Sequence, residues 1–206
     1  MVQEKAGASP VNVRKLALDL LIQVMEENIF CDRALHCAFE RYPMEKRDRS
    51  FLARLVEGTV ERCIEIDYVL NQFSKINVEK MKPAIRNILR LSVYQILYMD
   101  QVPDSAACNE AVKLTVKRNM KNLKGFVNGV LRNVAREKET ISYPPKEDAV
   151  SYLSVRYSLP GWIVEELIRD YGMERAEKIA ASFLKENDWL SIRCMAGKFS
   201  AEQVKE

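Results

Sequence analysis

An all-α fold is predicted by three features of the 206-residue sequence. Apolar residues recur every three or four positions through most of residues 10–138, the spacing that lines one face of a helix. No segment of that region alternates apolar and polar residues as a half-buried strand does. Proline, serine, aspartate and glycine fall at the edges of the periodic runs, where helices start and stop.

Ser9 and Pro10 read as a cap and first-turn proline, followed by Leu16, Ala17, Leu20, Leu21 and Val24 at helical spacing to about Glu27. Asp32 can cap a second helix carrying Ala34, Leu35 and Ala38. Leu52, Leu55, Val56, Val60 and Cys63 form the stripe of a third, and a short fourth runs through Tyr68 to Phe73. Pro83 opens the clearest amphipathic pattern, Ile85, Ile88, Leu89, Val93, Ile96 and Leu97, which predicts a central core helix. Val102-Pro103-Asp104 interrupts it, and Asp104 or Ser105 caps the next helix to about Lys117. Phe126, Val127, Val130, Leu131 and Val134 define one more.

At Tyr143-Pro144-Pro145 the periodicity stops among charged residues, which predicts a solvated linker and a division into residues 1–140 and 141–206. Beyond it the pattern predicts helices over 148–157, from Pro160 to Gly172, and from Met173 to about Lys185. Trp189 to Met195 alternates and is the one expected strand. A lone strand needs pairing partners, so the carboxyl end reads as the beginning of an incomplete α/β domain.

Hydrophobic residues at 48% and charged residues at 30% describe a globular chain that folds. With no apolar run of membrane-spanning length and no leader pattern at Met1–Pro10, a cytoplasmic protein with no membrane contact is expected. Cys31, Cys37, Cys63, Cys108 and Cys194 are scattered through helical patterns and read as small buried side chains, not as disulfides. His36 is the single histidine; the lack of a CxxC argues against a metal site, and the lack of a glycine-flanked nucleophile turn before any helix argues against a histidine-dependent nucleophile. The glycines form no phosphate cradle, and Gly125 and Gly129, four apart, predict close packing against a neighbouring helix.

A net charge of +3 gives little global attraction for nucleic acid, so any footprint must be local. One exists: Lys113, Lys117, Arg118, Lys121, Lys124, Arg132, Arg136 and Lys138 are opposed within their stretch only by Glu137. Lys113 and Lys117 are one turn apart, opposite Cys108, Ala111 and Thr115. Asn128, Arg132 and Arg136 follow at intervals of four, opposite Phe126, Val130 and Val134. Guanidinium forks suit phosphate and an amide suits a base edge, the combination single-stranded RNA requires. A solvated basic helix face, or one that meets an acidic protein, has the same composition.

Several segments resemble the NusB family: Arg14 with Ala17, Asp67-Tyr68-Val69-Leu70, Arg86 with Ile88-Leu89-Arg90-Leu91, and Tyr94-Gln95-Ile96-Leu97. So do Asn109-Glu110-Ala111-Val112 and Phe126-Val127-Asn128-Gly129-Val130-Leu131-Arg132. The resemblance implies a pair of three-helix bundles that bind RNA, with Arg14 and Lys15 in the region of the family's RNA-binding first helix, and contacts to a ribosomal or transcription protein. The tail, Tyr157-Ser158-Leu159-Pro160-Gly161-Trp162 with Tyr171-Gly172 and Ser191-Ile192-Arg193, resembles the junction of the Sun/RsmB small-subunit rRNA cytosine-5 methyltransferases. That family usually continues with valine and asparagine where this chain has Cys194 and Met195. The resemblance implies that S-adenosylmethionine and the catalytic cysteine belong to the rest of a longer protein, with no catalytic, cofactor or metal residue in this chain. Its implied role here is positioning small-subunit rRNA; the alternative is a transcription antitermination factor, which has no need of residues beyond Tyr143.

Overall fold

The computed structural model describes residues 11–185, and the expected strand at Trp189–Met195 lies outside them. Ten α-helices follow in order: α1 Val13–Glu26, α2 Cys31–Arg41, α3 Lys46–Glu61, α4 Cys63–Phe73, α5 Pro83–Tyr98, α6 Asp104–Lys117, α7 Lys124–Glu137, α8 Ala149–Tyr157, α9 Gly161–Tyr171 and α10 Met173–Phe183. No strand occurs among the described residues.

Helices α1–α3 pack as one three-helix bundle and α5–α7 as a second, with α4 lying on α5 and α7. Their apolar stripes close into one continuous core, because α5 touches α1, α3, α4, α6 and α7. This helix is buried nearly all round: Ile85 and every residue from Asn87 to Ile96 are out of water. Its amphipathic pattern thus conceals buried polar side chains, each with a partner. Arg90 donates to both oxygens of Asp67 at 2.7 and 2.6 Å. Asn87 donates to Glu26 at 2.7 Å, and Arg86 forks onto the same carboxylate. Gln95 accepts from Arg14 at 2.8 Å. Buried polar groups cost several kcal/mol (about 1–3 each) unless satisfied, and here all described ones are.

Helix boundaries moved by a residue or so from those expected. Asn12 caps α1, its side chain accepting from the Lys15 N–H at 2.9 Å, while the expected cap, Ser9, lies outside the described residues. Asp32 and Asp104 sit in the first turns of their helices, where a carboxylate favours the helix dipole, while Phe30 and Pro103 hold the cap positions. Cys63 starts α4 after a break at Arg62, so it does not belong to the α3 stripe. Cys108 is buried as expected, but Cys37 is exposed.

The last three helices pack on each other around a small core of Leu153, Val164 and Ala176. The segment before them is docked, not solvated along its length: the Tyr143 hydroxyl donates to Glu65 at 2.7 Å, and the Ser142 carbonyl accepts from Gln72 at 3.0 Å. Lys146, Glu147 and Asp148 are exposed. No helix among the described residues is long and apolar enough to cross a membrane.

Candidate nucleic-acid interface

The basic stretch folds into the α6–α7 hairpin, and a left-handed asparagine makes the turn. Asn119 has φ 57°, a conformation its short polar side chain tolerates. It lets the Met120 N–H reach back to the Thr115 carbonyl at 3.1 Å and its own N–H reach Val116 at 3.0 Å, closing the end of α6. The chain then passes through a single 3-10 turn, Lys121–Leu123, into α7. Helix α7 buries Val127, Val130, Leu131 and Val134, so its opposite face must carry Lys124, Gly125, Gly129, Arg132 and Arg136 into solvent. Helix α6 likewise buries Ala107, Cys108, Ala111, Leu114 and Thr115 and exposes Lys113 and Lys117. Asn128 is half-buried at the edge of the α7 face.

Partners divide these cations into two groups. Lys113 meets Glu110 at 2.6 Å and Arg136 meets Glu137 at 2.7 Å, both exposed pairs that a phosphate could displace at little cost. Arg118 is paired with Asp19 of α1, and Lys138 with Asp104 at 3.0 Å. Among the described residues Lys117, Lys121, Lys124 and Arg132 make no ion pair. Lys121 and Lys124 also stand at the start of α7, which has neither a side-chain cap nor an acidic residue in its first turn. The positive end of the helix dipole therefore adds to their charge.

The first-helix residues sit differently. Lys15 is exposed, one turn before Asp19, so the Arg118–Asp19 pair places its helix beside the end of α6. Arg14 is half-buried; it donates its Nε to Gln95 and stacks 5.0 Å over the Phe51 ring, tying α1 to α5 and α3. Its headgroup is engaged in the bundle, not held out with the others.

Two features of the face escaped the sequence. Asp19 neutralises Arg118 from 99 residues away, a separation at which no local pattern points to the pair. And Gly125 and Gly129 do not pack closely against another helix: a Cβ built on either meets nothing within 4 Å. Their spacing was legible, but not the face they occupy; both are on the exposed, basic side of α7.

Burial pushes the thiols of Cys31, Cys63 and Cys108 up, that of Cys63 to about 12 with help from Asp67, the opposite of what a nucleophile needs. No cluster of three metal-ligating side chains occurs among the described residues. His36 is 74% exposed and lies 3.4 Å from Glu40 on its own helix.

The chain matches the NusB family over residues 11–136. It is 38% identical over 168 residues to the probable ribosomal RNA small subunit methyltransferase B of Bacillus subtilis, covering 82% of this chain and 37% of that protein. The corresponding Synechocystis protein is 32% identical over 194 residues, covering 94% of this chain and 43% of its own length. The chain thus spans about two fifths of these curated relatives. The transcription antitermination protein NusB of Desulforudis audaxviator is 30% identical over 127 residues, 61% of this chain and 92% of that one. Among solved structures, Thermotoga maritima NusB superposes with a TM-score of 0.56 at 23% identity over 68% of this chain and 97% of its own. That of PH0851 reaches 0.66 at 18% identity over 97% of this chain and 44% of its own. With the two-bundle architecture in place and the family match running from before α1 to the end of α7, the chain belongs to the NusB family.

Proposed function

We propose that this chain binds RNA through the exposed face of the α6–α7 hairpin, as the amino-terminal part of a small-subunit rRNA cytosine-5 methyltransferase. One observation carries the reading: Lys117, Lys121, Lys124 and Arg132 have no ionic partner among the described residues and share one hairpin of a nearly neutral protein. Exposed Arg136, Lys113 and Lys15 extend the patch, and Asn128 supplies a base-reading amide at its edge. Arg118, neutralised by Asp19, contributes by holding α1 beside the hairpin; Arg14 contributes by fixing α1.

The tail favours the methyltransferase over a free antitermination factor. Similarity to the methyltransferases continues for 168 and 194 residues, whereas similarity to the antitermination protein covers 127. We accordingly divide the chain into an RNA-binding unit, 1–140, and a helical connection to catalysis, 141–206. S-adenosylmethionine does not fit the described residues. Their glycines stand singly on helices or, as Gly172, at the corner between α9 and α10, and none forms a turn of successive N–H groups. We place methyl transfer outside the described residues.

Filter binding of the chain to small-subunit rRNA fragments across a salt series tests the reading. Affinity should fall steeply with salt, and replacing Lys117, Arg132 and Arg136 by alanine should weaken it and lower the log–log slope by about 2, at ~0.7 per single-strand phosphate lost. Binding that ignores salt, or a triple variant that binds as tightly as the parent, would place the RNA elsewhere or nowhere.

A further inference from the structure

The connection between the α1–α7 bundle and the last three helices contains a polar network that the RNA reading does not use. Glu65, in the first turn of α4, has a side chain 2% exposed. Three donors from three parts of the chain converge on it. Arg62, at the α3–α4 break, reaches Oε2 at 3.2 Å; the Tyr98 hydroxyl, at the end of α5, reaches the same oxygen; the Tyr143 hydroxyl reaches Oε1 at 2.7 Å. The Arg156 guanidinium of α8 stacks 5.2 Å over the Tyr143 ring. Burial and the adjacent carboxylate push the Tyr143 phenol up to about 12, which keeps it a donor at neutral pH.

A second tether lies one residue away from Glu65. The start of α4 has no local side-chain cap, and the Ile64 N–H is instead satisfied by the Ser158 Oγ at 3.1 Å, from 94 residues further along the chain. Ser158 ends α8 in the left-handed region, φ 52°, where a side chain with a Cβ is disfavoured. A glycine there would end α8 more easily, but it could not cap α4. At the far end of α4, Gln72 holds the Ser142 carbonyl.

We infer that Glu65, Tyr143 and Ser158 form a latch that clamps the 142–158 segment along α4 and so holds α8–α10 in one orientation relative to the basic face of α7. The inference goes beyond the RNA reading and does not rest on it. What the latch would give a two-part protein is a fixed distance between the bundle and whatever follows α10.

Hydrogen exchange of the full 206-residue chain, read by mass spectrometry, tests it. Tyr143→Phe removes only a hydroxyl, and Ser158→Gly removes the cap while relieving the left-handed strain. Tyr143→Phe should speed exchange of the α8 amides about 5-fold, at ~1 kcal/mol per net hydrogen bond; Ser158→Gly should speed it by less, because the relieved strain offsets part of the lost bond, and the pair by at least about 5-fold, with α1 and α5 amides unchanged. Ser158→Gly separates the alternatives: a purely local turn role predicts slower α8 exchange, the latch predicts faster. The inference is overturned if the double variant exchanges within twofold of the parent, or if the α1 and α5 amides accelerate equally, which would make the network part of one global core. RNA binding by the same variants should stay within twofold; loss of binding in the parent chain would defeat the RNA reading and leave the latch standing.

Discussion

At the scale of single residues, the side chains that carry the family resemblance build the bundle. Asp67 and Arg90 make a two-toothed pair with 26% and 10% exposed side chains. Removing one partner of such a pair strands the other, so Asp67→Ala should lower stability by about 3 kcal/mol, the lower end of the range for buried pairs because Asp67 is partly wet; urea denaturation measures it. Glu26 offers a pH test. Hydrogen bonds from Arg86, opposed by some burial and aided by Asn87, hold its carboxyl below the ordinary value of 4.5. Its folded value being depressed, its contribution is complete above the unfolded value and disappears as pH falls through the folded one. Glu26→Gln should therefore cost stability at neutral pH yet flatten the acid limb of a stability–pH curve below about 4.5. A limb equally steep in the variant would assign acid unfolding to other carboxylates. Residue types were legible in the sequence here, but partners were not. Arg14 reads as a free cation until Gln95, 81 residues on, accepts its Nε.

At the scale of elements, apolar periodicity with its flanking proline, glycine and aspartate identified the α-helices among the described residues, because burial of one face is a local property of spacing. It also placed Lys117, Arg132 and Arg136 in solvent, since α6 and α7 each bury the opposite stripe. What it could not supply was the neighbour of each glycine. Gly58, inside α3, lies against the Tyr94 ring, and a Cβ there would run into that ring, whereas Gly125 and Gly129 face open space. One substitution thus has opposite signs along one chain. Gly129→Ala should raise stability by up to about 1 kcal/mol, the helix-propensity difference alone. Gly58→Ala should lower it by about 1–3 kcal/mol, because overpacking outweighs that gain. Thermal unfolding of the two variants decides this, and a shift of the same sign in both would contradict the packing described around Gly58.

At the scale of the whole molecule, the sequence marked the pause at Tyr143-Pro144-Pro145 but not its docking, since the acceptor, Glu65, reads as an ordinary helix-surface charge. The two sides of that pause are unequally built. The first core fully buries Leu18, Leu21, Leu52, Leu55, Ile66, Leu70, Ile88, Leu89, Leu91 and Leu131, while the second rests on Leu153, Val164 and Ala176. At about 25 cal/mol per Å² of buried apolar surface, so few buried side chains leave α8–α10 little to set against the entropy of ordering them. The tail should therefore open without the bundle. In native-state exchange under increasing urea, amides of Val164 and Ala176 should report a free energy several kcal/mol, about 2–4, below that of Ile88, Leu89 and Leu131. They should also show a shallower urea dependence, since less surface is exposed when three helices open than when all ten of the described α-helices do. If the two sets merge at low urea, the contacts along α4 join the cores into one cooperative unit, and the small apolar core is not the weak point of the molecule.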